Sequence, residues 1–147
     1  MDAAAKLQQK IRDTIPLSAA MQFQIDALSP DAITVSAPLP PNVNIHGTGF
    51  AGSIYSLAVL TGWALCTHML EQIGIDADLV VAKAEIRYRA PVTGDLRCNT
   101  SAGVKNREAF LQDIRRRGKG FLALTIEVGD KPNAVLQASF CAISRAY

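Results

Sequence analysis

The sequence predicts an α+β fold in which an antiparallel β-sheet wraps around one long central α-helix, with a short helix at the N-terminus. Three observations predict it. Between His46 and Glu71 there is no Asp, Glu, Lys or Arg. Apolar residues fall on every side of this run as a helix: Ile54, Leu57, Leu60, Trp63, Cys66 and Leu70, but also Tyr55, Val59, Leu65 and Met69. A helix that is apolar all round has to be enclosed on all sides. The segments that follow read with period two, as half-buried strands do. No later helix alternates regularly with those strands, which argues against a parallel, doubly wound sheet.

Each element has its own signal. Leu7, Ile11 and Ile15 sit four apart, as on a short amphipathic helix that Pro16 ends. Met21–Leu28 and Ala32–Leu39 read as strands joined through the turn Ser29-Pro30-Asp31. Prolines 38, 40 and 41 stop the second strand before a glycine-punctuated loop, from which the long helix runs to Ile73. Gly74-Ile75-Asp76 breaks the chain. From Leu79 to Val92, Lys83, Glu85, Arg87 and Arg89 alternate with Ala84, Ile86 and Tyr88, one set to water and the other to the core. Thr93-Gly94-Asp95 turns the chain into Leu96–Gly103. Asn106–Gly118 reads as a short helix or irregular crossing. Phe121–Val128 points Leu122, Leu124, Ile126 and Val128 inward, and Ala134–Ser144 closes the set.

At 147 residues the chain is expected to form a single domain spanning 1–147. The uncharged run is long enough to span a bilayer. Gly47, Gly49 and Gly52 crowd one end of it, Ser53, Ser56, Thr61 and His68 dilute it, and no Lys/Arg cluster flanks it. The expectation is therefore no membrane. The first sixteen residues lack the apolar core of a signal peptide, and Cys66, Cys98 and Cys141 share no metal-type spacing. A cytoplasmic protein with buried thiols and no metal follows. A net charge of +2 does not by itself imply nucleic acid, and aromatics do not interleave with the basic residues as base stacking requires. Gly47-Thr48-Gly49-Phe50-Ala51-Gly52 is a literal G-x-G-x-x-G. A proline-rich loop precedes it, and Asp76 and Asp78 stand before the next strand rather than at its end, so a dinucleotide fold does not follow.

The helix order and the loop together resemble hotdog-fold acyl-CoA thioesterases of the phenylacetate-pathway type. Those enzymes carry an Asn, a short gap and then His-Gly-Gly opening the central helix. Asn44-Ile45-His46 is similar to the start of that motif, Phe50-Ala51-Gly52 takes the place of its His-Gly-Gly, and SIYSLA continues it. YRAPVTGDL resembles the Pro-then-Gly-Asp hairpin of the same group. NIHGTGFAGSIYSLA looks most like a YiiD C-terminal-domain-like thioesterase family of bacteria, sometimes fused behind an acetyltransferase. The resemblance implies the hotdog fold, a homodimer or dimer of dimers with the active loop between subunits, and acyl-thioester chemistry. It also implies a possible association with an acetyltransferase domain. One position departs: the helix carboxylate of the relatives is Val59 here, and neither Ala58 nor Leu60 replaces it.

The residues themselves support this chemistry. Thioester hydrolysis develops charge on the carbonyl oxygen, which the free N–H groups of Ala51 and Gly52 at a helix start can stabilise with the helix dipole. Gly52 leaves room for an acyl group. His46 is the side chain of this segment whose ordinary pKa lies near neutrality, so it is the candidate to take a proton from water, the bland alternative being a loop histidine that caps or is solvated. Asn44 is the candidate to orient the water or the carbonyl, and the bland alternative is that it satisfies loop backbone. Thr48, Gly49, Phe50, Ser53, Ser56 and Val59 complete the candidate substrate site. No G-x-S-x-G elbow surrounds either serine. Arg87 and Arg89, with Arg107, Arg115, Arg116, Arg117 and Lys119, are candidates for the phosphates of coenzyme A or else an ordinary solvated face. Coenzyme A enters as part of the substrate, and no separate cofactor is expected. The readings that compete with a thioesterase are a non-hydrolytic acyl-thioester-binding domain, partnered with an acyltransferase, and a dehydratase or hydratase.

Overall fold

A computed structural model describes residues 1–146. Helix α1 (Ala3–Thr14) is capped by Asp2, whose carboxylate accepts from Ala5 N at 2.8 Å, and it buries Leu7 and Ile11. Pro16 does end α1, but it also opens a second helix, α2 (Pro16–Met21). Proline at the first helical position gives up only an N–H that has no partner there. Met21 therefore closes α2 instead of beginning a strand. Ser18 Oγ donates to the carbonyls of Ile11 and Ile15 and fixes α2 against α1.

Six strands form one antiparallel sheet in the order β1-β2-β4-β5-β6-β3. The strands are β1 (Gln24–Leu28), β2 (Ala32–Ala37), β3 (Ala77–Tyr88), β4 (Leu96–Ser101), β5 (Lys119–Val128) and β6 (Ala134–Ser144). β2 is shorter than the sequence reading because Leu39 already leads into a single 3-10 turn over Pro40–Asn42. β5 follows the expected alternation, with Leu122, Leu124, Ile126 and Val128 buried. Asn106–Gly118 is no irregular crossing: it belongs to a full helix, α4 (Val104–Arg117), which buries Phe110, Leu111 and Ile114 and ends on left-handed Gly118. α4 crosses where β4 and β5 pair over two residue pairs alone, Cys98 with Val128 and Asn99 with Glu127. It lies close on β5 at Gly120, where a Cβ would stand 2.8 Å from the Phe110 carbonyl oxygen.

The long helix α3 (Ala51–Gln72) lies in the curl of this sheet and touches β2, β3, β4, β5 and β6. Its length and composition would let it cross a membrane, yet 72% of its most apolar stretch is buried inside the fold. The enclosure is incomplete, contrary to the sequence expectation. Tyr55, Ser56, Val59 and Trp63 are only half-buried, along the flank facing α2 and β3. β3 is an edge strand with a bulge between Val81 and Lys83, and Val80 and Val81 are exposed on it. That edge is the reason the face is open.

Candidate functional site

The loop before α3 is organised by one side chain. Asn44 Oδ1 accepts from the backbone N–H of His46 at 2.8 Å and of Thr48 at 3.1 Å. Its Nδ2 donates to Thr48 Oγ1 at 2.8 Å and to the Gly49 carbonyl at 3.3 Å. Gly47 makes the turn at φ +80°, and Val43 bridges Gly49 in antiparallel fashion. Both ends of the Asn44 amide are thus engaged in holding the loop. The tip it holds, Ile45-His46-Gly47, is exposed, with Ile45 95% accessible. Gly49 seats the loop on the segment after β3, donating to the Val92 carbonyl at 2.8 Å with a Cβ position only 3.1 Å from Val92 Cβ.

Asn42 ties the same loop to α2. Its Nδ2 donates to the carbonyls of Met21 and Pro38, and its own carbonyl receives Phe50 N. Phe50 is the N-cap of α3 in extended conformation, and among the described residues no side chain caps the helix. The first-turn N–H groups of Ala51, Gly52 and Ser53 therefore lack a capping partner, and no acidic residue offsets the positive end of the dipole. The space left by the absent Gly52 side chain is not empty. Phe50 folds back over it, so that a Cβ on Gly52 would be 2.5 Å from Phe50 Cε2. Phe50 is 52% exposed, so one side of it faces solvent.

One turn further, α3 opens on an apolar cleft of about 300 Å³ between α2, α3 and β3. Leu17 and Met21 form one wall, Tyr55, Ser56 and Val59 the other, and Val81 the rim. Val59 thus sits in the cleft where the resemblance implies a carboxylate, and no acidic residue lines the cleft in its place. Ser53 is half-buried at the helix start.

The sequence reading missed Tyr88. Placed there with the core set, it is 48% exposed, and its hydroxyl donates to the Ala51 carbonyl at 2.9 Å, closing the end of β3 onto the helix start. Burial and the neighbouring Tyr55 push its hydroxyl above the ordinary tyrosine range. The available signal was an aromatic hydroxyl in phase with the helix-facing side of a strand that ends beside it.

Arg87 and Arg89 are not brought to the helix start within one chain. They share a shallow depression with Glu85, Val135 and Gln137 on the sheet face turned away from α3. Arg107 pairs loosely with Glu108 at 3.9 Å, Lys119 lies 5.4 Å from the Phe121 ring centroid, and Arg115, Arg116 and Arg117 form the last turn of α4. His68 is buried in α3, and burial lowers its pKa, opposed by the nearby Glu71. Cys66, Cys98 and Cys141 are buried free thiols; burial pushes Cys98 up to about 12 and Cys66 higher still. Among the described residues no three His, Cys, Asp or Glu side chains come together as a metal site.

A family model described as "Putative thioesterase (yiiD_Cterm)" matches residues 4–143. The chain belongs to this family. A Shewanella oneidensis structure described as a "putative thioesterase" is 32% identical, with 95% of this chain and 96% of that one covered at a TM-score of 0.86. A Chlorobaculum tepidum protein of unknown function is 26% identical, with 95% and 93% covered and a TM-score of 0.89. A Pseudomonas aeruginosa structure described as a "Probable Thioesterase" shares the fold at 21% identity, 99% coverage of both chains and a TM-score of 0.81. The sheet curled on a central helix is the hotdog fold of this thioesterase family. Phe50-Ala51-Gly52 opens its central helix, and the cleft runs along that helix from its first turns.

Proposed function

We propose that the chain is an acyl-CoA or acyl-carrier thioesterase that binds its thioester at the start of α3. The observation that carries this is an uncapped helix N-terminus followed within one turn by an apolar cleft. The N–H groups of Ala51 and Gly52 receive the carbonyl oxygen as it gains negative charge. A water attacks the carbonyl carbon, the C–S bond breaks, and the proton relieved from water by His46 passes to the leaving thiolate. Asn44 acts through the loop, holding the backbone of His46 and Thr48 in place. Thr48, Gly49 and Phe50 frame the carbonyl, while Ser53, Ser56 and Val59 follow the acyl chain.

Two features support a site completed by a second copy. The His46 tip is exposed in one chain, and β3 is a twelve-residue edge strand with Val80 and Val81 bare. Natural sheets protect or pair such edges. A homodimer joined along β3 covers the edge and encloses the loop, and it gives Arg87 and Arg89 of one subunit access to the coenzyme A phosphates of the other. Sedimentation is expected to show a dimer or a larger assembly at micromolar concentration; a stable monomer removes the shared-site arrangement. The buried free thiols fit a reducing, cytoplasmic setting.

The apolar cleft and the committed Asn44 amide favour one competitor, an acyl-thioester-binding domain that does not hydrolyse, serving an acyltransferase. Thiol release measured across short, medium and long acyl-CoAs separates the two. Turnover that falls about a hundredfold or more in His46→Ala, the scale of a lost general base, supports the enzyme. Tight acyl-CoA binding without thiol release supports the competitor, and hydration of crotonyl-CoA identifies a hydratase instead.

A further inference from the structure

The apolar cleft ends abruptly. Trp63 lies two turns beyond Ser56 on the same flank of α3, and its indole N–H donates to the Leu79 carbonyl of β3 at 3.0 Å. The ring therefore bridges the gap between helix and edge strand. On its near side lies the cleft with Ser56, Val59 and Val81; on its far side lies a second cleft of about 550 Å³ that reaches Thr67, Leu70 and Leu79. Trp63 lines both. The two differ in chemistry. Among the described residues the near cleft contains no charged side chain, whereas the far one holds Lys10 paired with Glu71, and Arg145 paired with Asp76 and Asp78.

We propose that Trp63 is the end wall of the acyl site and sets the longest chain the protein accepts. Such a wall requires the thioester to lie at the start of α3, as in the function proposed here. From Gly52 to Trp63 the helix axis advances about 16 Å at 1.5 Å per residue. A straight path of that length beside Ser56 and Val59 holds an octanoyl to dodecanoyl chain. A palmitoyl chain meets the indole, and beyond the indole it meets ion pairs. The occupant is an alkyl chain because the walls offer apolar side chains and the hydroxyls of Tyr55 and Ser56, that of Ser18 being already given to the Ile11 and Ile15 carbonyls, and no polar ligand would find this sufficient. The indole N–H is not available to the ligand, since Leu79 already accepts from it.

The chain has one tryptophan, so its fluorescence reports on this wall alone. Titration of the wild-type protein with octanoyl-, dodecanoyl- and palmitoyl-CoA is expected to shift Trp63 emission, with dodecanoyl-CoA giving the largest change and free coenzyme A giving none. Trp63→Ala is expected to raise the preference for palmitoyl- over octanoyl-CoA about tenfold or more, the discrimination that a few methylenes give in an apolar pocket. Because that variant also loses the bond to β3, Trp63→Phe and Val59→Phe accompany it. The first is expected to lengthen the accepted chain by a smaller step, and the second to shorten it. An emission shift without thiol release keeps the wall and overturns only the hydrolytic reading. Emission that follows protein dilution but ignores acyl chains makes the cleft a seat for a second copy and overturns the proposal. A folded Trp63→Phe and Val59→Phe pair with unchanged chain-length profiles overturns it as well.

Discussion

Gly62→Val is expected to destabilise the protein by about 3 kcal/mol, the upper range for forcing extra methyl groups into a filled core. At Gly62 α3 lies close against the sheet. A Cβ there would stand 2.5 Å from both Cε2 and Cζ of Phe140 and 3.4 Å from Ile126 Cδ1. Phe140 is 0% exposed, so its ring has nowhere to go. Gly62→Ala is expected to be milder, because alanine recovers up to about 1 kcal/mol of helix propensity over glycine while meeting the same ring. For a chain of this size the valine variant should lower the thermal midpoint by about 6–12 °C. The contact is checked with Phe140→Leu, which shortens the ring. If Phe140 is the obstacle, the double variant is more stable than the sum of the two single losses predicts. A Gly62→Val protein that melts with the wild type means that the helix is not seated at this glycine.

That glycine also marks the limit of what could be read from the sequence. The helix itself was plain, because an uncharged run with apolar residues on all sides needs cover over most of its surface, and only the half-open flank at Tyr55, Val59 and Trp63 went unforeseen. β5 was equally plain, since Leu122, Leu124, Ile126 and Val128 keep period two over a strand flanked on both sides. β3 kept its period less well. It is an edge with a bulge at Ala82, and its residues answer partly to solvent, so Tyr88 turned out to close the helix start instead of filling the core. Pro16 carries two meanings, the end of one helix and the first position of the next, and only tertiary contacts choose between them. Missing α2 meant missing the cleft, whose walls come from segments about forty residues apart in the chain. The uncapped helix start at Ala51 was legible because a glycine-punctuated loop entering an apolar helix has a physical consequence, free N–H groups. The role of Asn44 was not legible. An amide beside a histidine serves equally to hold a loop or to touch a substrate, and only the four hydrogen bonds it makes show that the loop claims it.

Gly52→Val, in contrast to Gly62→Val, is expected to spare the fold and abolish most of the activity. Its Cβ would also fall 2.5 Å from an aromatic carbon, but that carbon belongs to Phe50, whose ring is half in solvent and can swing aside. The same steric figure therefore has opposite consequences at the two glycines, and what decides is whether the neighbour can yield. At the helix start the added side chain would stand beside the N–H groups that we propose receive the thioester oxygen. Blocking that approach costs the transition state ~3 kcal/mol, on the order of a hundredfold in turnover, as loss of one oxyanion donor does. Phe50→Ala supplies the control. Measured against Phe50→Ala alone, Gly52→Val no longer displaces a ring, so any further loss of thiol release belongs to the blocked approach itself. A double variant with the turnover of Phe50→Ala would instead make the displaced ring responsible. A folded Gly52→Val with wild-type turnover and acyl-CoA affinity would remove the start of α3 from the chemistry, and the search would move to the exposed tip at His46 and whatever surface a second subunit brings against it.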